Sequence, residues 1–369
     1  MVRQPDKTRL AGLQTDPIRA RHDRRWLIAL ITALLLVIGL QPSIAQQTPQ
    51  EIWEKASAGD TEAQLQLGYH YLSEDHADHD LKTARYWFER AVESGSPDAA
   101  TQLGILLLDH PEDPDDIELA VASLAIGADA GVPEAQFRLA SVLASGLGVA
   151  TPDARRARSL YALSAAQNHP GSQAALGVYY FQGIEGERSM ERAAQLFRAA
   201  AAQGEALGQY HMFVLHFTGQ AESSDQSQAL GWLQMAVAQD LPQALFALGG
   251  LHIEGQLVPQ NPGRGVELVR QAARAGLSDA RFQMGVWESR GTHGEVDEQA
   301  AVAWFREAAE QGHPDAQFLL GNHLATGRGV DRDLDQGVFW LESAARSGHP
   351  LAAQRIEIFL NQQTAEPKE

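Results

Sequence analysis

Two short stretches hold the side chains best suited to chemistry. Glu74-Asp-His-Ala-Asp-His-Asp80 sets His76 and His79 three residues apart among carboxylates. Asp109-His-Pro-Glu-Asp-Pro-Asp-Asp-Ile-Glu118 packs six acids into ten residues. Imidazole with carboxylate suits zinc, and clustered carboxylate oxygens suit calcium. Neither stretch has EF-hand spacing. Acid-rich loops of this kind are ordinarily solvated and self-repelling, so neither is assigned a metal. The sequence has no cysteine, which excludes disulfides, thiolate zinc sites and a cysteine nucleophile.

The remaining titratable residues fall into register rather than into a site. His169, His313 and His349 each stand just before a proline. Asp98, Glu134, Asp279 and Asp315 recur at matching places, where a first-turn acid offsets the helix dipole. His216 and His252 take the places of Tyr71 and Tyr180 and are expected to fill core space. His211 and His323 stand where they can reach a groove face. Serine and histidine show no triad order, and no strand leads into a glycine-rich phosphate loop. No catalytic residue and no cofactor is assigned.

What must position these residues is a repeat. Gly59, Gly95, Gly131, Asn168, Gly204, Asp240, Gly276, Gly312 and Gly348 are spaced by 36 residues, with one step of 37. A small residue, usually alanine, follows four places on. A period held over some 300 residues indicates an array of stacked units and not one globular core.

Residues 312–347 show how one unit is built. Pro314 suits the first turn of a helix and Asp315 follows it. Ala316, Leu320 and Gly321 then share a face, and the bare Gly321 admits a second helix closely. Thr326-Gly-Arg-Gly-Val330 is a turn with two glycines for positive φ. Leu334–Ala345 forms the second helix, which Gly348 ends. Large residues such as Trp87, Trp232, Trp304 and Trp340 recur eight before the rung. Small ones such as Ala91, Ala200, Ala236 and Ala344 recur four before it, giving knobs and hollows between helices.

Ala-Ala-Glu-Gln-Gly-His-Pro-Asp-Ala-Gln-Phe-Leu-Leu-Gly (308–321) and Gly-Arg-Gly-Val (327–330) resemble Sel1-like repeats, relatives of the tetratricopeptide repeat. The likeness covers about residues 50–360. It implies an all-α, right-handed α/α solenoid of eight hairpins over 59–347. A lead-in helix (46–58) and a closing helix (348–360) cap it, and 361–369 is read as a flexible tail. It also implies an adaptor without catalytic residues.

By analogy with the tetratricopeptide layout, first helices line the concave side. Tyr69, Leu72, Phe181, Gln182, Tyr210, Phe217, Glu254, Arg290 and Asn322 are then the candidate partner-binding residues. Val214, Thr218 and Ile253 fall on the same stripe, and some of its members will instead pack between repeats. Two repeats depart from the pattern. Ala140 and Phe213 replace the second glycine of the motif, and Phe213 is expected to spread its helix pair and open a groove. The first two hairpin turns are acidic and lack Gly-x-Gly.

The ends of the chain differ in charge. Residues 1–45 carry seven Lys/Arg against three Asp, leaving 22 basic and 44 acidic residues beyond Ala45, a net of −22. Such a body repels nucleic acid and anionic lipid. Arg21-His-Asp-Arg-Arg25 precedes the uncharged stretch Trp26–Leu40, and Pro42 and Ser43-Ile-Ala45 follow. This is the order of a secretory signal, cleaved after Ala45. Trp26–Ile44 is also long enough for an uncleaved anchor. Both place the array outside the cytoplasm, periplasmic, secreted or tethered to the inner membrane. The expectation is an exported, non-enzymatic scaffold holding envelope proteins in its groove. The alternative is a wall- or glycan-binding module or hydrolase, with aromatics that stack on sugar rings.

Overall fold

The computed structural model describes residues 48–73, 79–149, 151–220 and 226–365. They form eighteen helices and no strand. A lead-in helix, α1 (Pro49–Ser57), is followed by eight hairpins. Their first helices are α2 (Thr61–Leu72), α4 (Pro97–Asp109), α6 (Pro133–Ser145), α8 (Pro170–Gln182), α10 (Ala206–Phe217), α12 (Pro242–Glu254), α14 (Ser278–Arg290) and α16 (Pro314–Thr326). Their second helices are α3 (Leu81–Glu93), α5 (Asp115–Asp129), α7 (Ala154–Ala166), α9 (Met190–Ala202), α11 (Gln226–Val237), α13 (Pro262–Arg274), α15 (Glu298–Glu310) and α17 (Leu334–Arg346). A closing helix, α18 (Ala352–Ala365), completes the stack. Each helix packs on the next, so this is an α/α solenoid.

α18 runs past Leu360 to Ala365, into the stretch expected to be a flexible tail. Asn361-Gln-Gln-Thr-Ala365 contains no glycine or proline, so nothing in it stops the helix. The N-terminal signal or anchor segment lies outside the described residues. Among the described residues, no helix is long and apolar enough to cross a membrane.

The rungs are backbone switches. All nine have positive φ, between 56° and 97°, and this includes Asn168 (64°) and Asp240 (56°). Each second helix therefore ends in the same left-handed residue, glycine or not. The motif glycines serve packing instead. A methyl on Gly68 would lie 2.3 Å from the Phe88 ring, on Gly177 2.6 Å from Phe197, and on Gly285 2.6 Å from Phe305. Those three rings are fully buried. Hairpins thus close by seating a large second-helix side chain on a bare first-helix surface.

Two polar devices join one repeat to the next. The first is a glutamine ladder: Gln167 Nε2 donates to Gln136 Oε1 (3.1 Å), Gln203 to Gln173 (2.8 Å) and Gln239 to Gln209 (2.9 Å). Ser94 and Ser347 donate in the same way to Gln64 and Gln317. The second device is a histidine before the proline at three junctions, His169, His313 and His349. His169 and His313 are N-caps whose Nδ1 accepts the N–H of Ser172 (3.1 Å) and Ala316 (3.3 Å). Their rings lie on Phe137 and Phe282, and His349 stacks on Phe318.

The acidic loop 109–118 is built rather than solvated throughout. Asp116 is only 3% exposed and accepts from the N–H of Glu112 (2.8 Å), the N–H of Asp113 (3.0 Å) and Arg85 Nη1 (2.8 Å). These donors, the Glu112 amide foremost, hold its carboxyl below the usual carboxylate range. In this hairpin the carboxylate closes the turn, where the third and later hairpins have glycine. Residues 74–78, His76 among them, lie outside the described residues, and His79 is exposed. Among the described residues, no three His, Asp or Glu side chains come together in a way that could hold a metal.

Candidate partner-binding groove

The first-helix stripe is filled unevenly by the chain's own side chains. Tyr69 is exposed and meets Phe88 edge-on at 5.7 Å. Leu72 turns inward and packs against the core around Phe88 and Leu103. Phe181 is half-buried, 6.4 Å from Phe197 and 6.0 Å from His211, with the Arg188 guanidinium 5.7 Å over its ring. Gln182 is exposed at the end of α8. Asn322 is spent on structure: its Nδ2 donates to the Phe318 carbonyl and its Oδ1 accepts from Arg355 of the closing helix.

The stripe opens at α10, α12 and α14. One depression of about 310 Å³ is lined by Tyr210, Phe213, Val214, Phe217 and Thr218 on one side, with Ala247, Gly250, Leu251 and Glu254 on the other. A second, of about 400 Å³, is lined by Phe246, Ala247, Gly250, Ile253 and Glu254, with Val269, Gln283 and Trp287. They share Ala247, Gly250 and Glu254, so they form one trough crossing three repeats. Of the candidate residues, Tyr210, Phe217 and Glu254 meet here. Arg290 is exposed at the end of α14, one repeat beyond Glu254.

The trough exists because α12 is bare where its neighbours are not. Gly250 stands at the register place held by Val214 and Val286, and Ala247 at that of His211 and Gln283. A methyl built on Gly250 meets nothing within 4 Å. The next residue back, Gly249, is the opposite: its methyl would lie 2.7 Å from Val269 Cγ2. Gly249 lets α13 approach, and Gly250 leaves the outer face open.

Phe213 does not spread its own helix pair. It is 4% exposed and shares a core cluster with Ala229 and Leu233 of α11, against which α10 packs as the other hairpins do. The large side chain here comes from the first helix, reversing the arrangement of Gly177 and Phe197. The sparsest contact between consecutive helices is the next one, α11 on α12. Phe213 stacks on Phe217 at 5.3 Å, and Phe217 remains 38% exposed as a wall of the trough.

Charge on the trough is sparse. Glu254 and Arg290 each lie free of hydrogen bonds and ion pairs with other described residues. Burial, with Asp279 adding to it, pushes the Tyr210 phenol up. Neither histidine expected near the groove lines the trough. His211 stacks on Phe197 at 4.3 Å, and His323 is buried with Nδ1 2.9 Å from the Arg328 carbonyl. His216 is buried as expected of a core residue, while the His252 Nδ1 reaches the Pro259 carbonyl at 3.3 Å.

The family profile described as Sel1 repeat matches residues 61–96, 133–169, 170–205, 206–241, 242–277, 278–313 and 314–349. The chain belongs to the Sel1 repeat family. The segment between the first two matches, 97–132, carries the second hairpin, the one whose turn Asp116 closes. A Sel1 repeat protein from Oxalobacter formigenes is similar at 28% identity, over 84% of this chain and 89% of that one, with a TM-score of 0.51. c5321, a protective antigen of uropathogenic Escherichia coli with an SLR fold, is 27% identical over 85% of this chain and 67% of its own, at a TM-score of 0.49. The immunity protein Pa5087 of Pseudomonas aeruginosa is 20% identical over 65% of this chain and 85% of that one, with a TM-score of 0.44. No curated protein matches the sequence. Sel1 repeat proteins are generally non-catalytic scaffolds that bind protein partners.

The sequence missed Gly250, Ala247 and Trp287 as trough residues. The signal for Gly250 and Ala247 was available by reading each column of the 36-residue register for its smallest members, and that for Trp287 by reading its column for the largest.

Proposed function

We propose that this Sel1 repeat chain is an exported, non-enzymatic adaptor of the bacterial cell envelope, holding a partner protein in the trough across α10, α12 and α14. The observation that carries this reading is the trough itself. It is an apolar depression with two aromatic walls, at the one first helix whose groove residues are alanine and glycine. Apolar walls with a few polar groups at the edge are the usual form of a peptide groove. Export rests on the basic, apolar and small-residue order of residues 21–45, as a cleaved signal or as an inner-membrane anchor.

The test is a photo-crosslinking residue at Phe217 in the producing cell, followed by mass spectrometry. One discrete envelope protein attached at Phe217, and absent when the probe sits at exposed Met235 on α11, supports the reading. Smeared or absent adducts at Phe217 end it. The N-terminal mass of the mature chain decides between a start at Gln46 and a retained anchor.

A second reading, binding of wall glycan, draws on a separate recess of about 480 Å³ between α1 and α3. Trp53 and Tyr86 stand half-exposed there beside Trp87 and Arg90. Aromatic faces flanked by polar groups suit sugar rings. Quenching of tryptophan fluorescence by soluble wall fragments, lost in Trp53→Ala, is the result this reading needs.

A further inference from the structure

The trough's chemistry narrows what can occupy it. Its floor is Ala247 and Gly250, and its walls are Phe213, Phe217, Ile253 and Trp287. Among the described residues, the only charged side chain lining it is Glu254, which borders both depressions and has no ion-pair partner among them. The chain beyond Ala45 carries a net charge of −22, so the surrounding potential is negative as well. Anionic occupants such as acidic peptides, nucleic acid or acidic lipid are disfavoured twice over.

We infer that the occupant is a partner protein segment that places an aliphatic or aromatic side chain over Gly250 and a lysine or arginine on Glu254. This deepens the adaptor reading and rests on it. The apolar side chain fills the volume that valine fills in the repeats on either side. The basic side chain pairs with the one free carboxylate at the border of both halves. Burial of a leucine-sized side chain is worth about 1.5–3 kcal/mol, roughly a 10- to 150-fold gain in affinity. Arg290, one repeat on, extends the pattern by accepting an acidic residue further along the segment.

A random 12-residue peptide library displayed on phage, selected against the full chain in mild detergent, tests this. The expected winners carry an apolar residue with Lys or Arg within four positions, on either side. As synthetic peptides they lose at least tenfold in affinity to Gly250→Leu, which fills the open floor with a better helix former and keeps the fold. They lose a similar amount to Glu254→Lys, and selection on that variant returns acidic in place of basic residues. Winners with no charge bias, winners that bind Gly250→Leu as they bind the wild type, or no winners at all would overturn the inference. A partner crosslinked in the cell at Phe217 in spite of such a result leaves the adaptor reading standing and removes only the stated occupant.

Discussion

His169 Nε2 lies 2.9 Å from Glu134 Oε2, across 35 residues and one repeat junction. The other ring nitrogen, Nδ1, accepts the N–H of Ser172, so the proton sits on Nε2 and is donated to the carboxylate. One neutral imidazole therefore caps its own helix and ties back to the first turn of the preceding repeat. His313 with Asp279 and His349 with Asp315 repeat the contact at 3.4 Å. The ring rests each time on a phenylalanine three residues past the acid. First-turn dipole compensation is thus only half of what these acids do.

Glu134 should make acid stability depend on this junction. The hydrogen bond from His169, then Arg138, holds its carboxyl down to about 2, below the usual 4.5. A depressed folded-state pKa contributes stability that is complete above about pH 4.5 and is lost as pH falls toward 2. The carboxylate is about a third exposed, so screening reduces the contribution to roughly 1 kcal/mol. Glu134→Gln should lower the melting temperature at pH 7, and the gap from wild type should shrink to about half or less by pH 3 and close toward pH 2. A gap that is constant from pH 7 to pH 3 contradicts the assignment.

His211 works in the opposite sense. Burial pushes its imidazole from 6.5 down to about 4, and its buried Nδ1 has no hydrogen-bond partner among the described residues. Between those values the unfolded chain binds the proton and the folded chain does not. Stability should therefore fall as pH drops from 6.5 to 4 and change little from this group outside that window. The full effect is at most about 3 kcal/mol. His211→Phe, which keeps the stack on Phe197, should flatten the decline in thermal melts across that window. An unchanged slope would mean that His211 is not the group responsible.

The rungs offer a test free of side-chain contacts. A methyl on Gly312 meets nothing within 4 Å, so Gly312→Ala is opposed only by its φ of 86°. The expected loss is about 1 kcal/mol, and Asn168→Gly and Asp240→Gly should gain up to a similar amount. Urea melts of the three variants would show it. A loss on placing glycine at Asn168 or Asp240 would mean that those side chains hold the turn by contacts of their own.

Much of this was legible because a 36-residue period repeats its own evidence. Helix starts at Pro133, Pro170 and Pro314, the rungs and the bare surface at Gly321 all follow from local chemistry seen several times. Junction contacts were harder to read. The Ala-Gln pairs at 63–64, 135–136 and 316–317 stand in the motif, but the partner amide or hydroxyl lies some 30 residues later and the pairing shows only in space. Asp116 was lost among acids of the same type, since sequence does not say which member of a charged loop turns inward toward Arg85. The trough was half visible: Phe217 and Glu254 were marked by their own side chains, whereas Gly250 acts through having none.

Gly249 and Gly250 should respond to alanine with opposite signs. Both lie inside α12, where alanine is the better helix former by about 1 kcal/mol. At Gly250 that preference acts alone, because the added methyl enters open space. At Gly249 the methyl would lie 2.7 Å from Val269 Cγ2 and 2.9 Å from the Gly265 carbonyl, so α12 and α13 must part. Overpacking of this kind costs about 1–3 kcal/mol, which outweighs the propensity gain. Gly250→Ala should raise the melting temperature slightly and Gly249→Ala should lower it by several degrees. A paired measurement decides the matter: equal shifts would mean that the helix pair yields at no cost, and that small residues in α12 are not what shapes the trough.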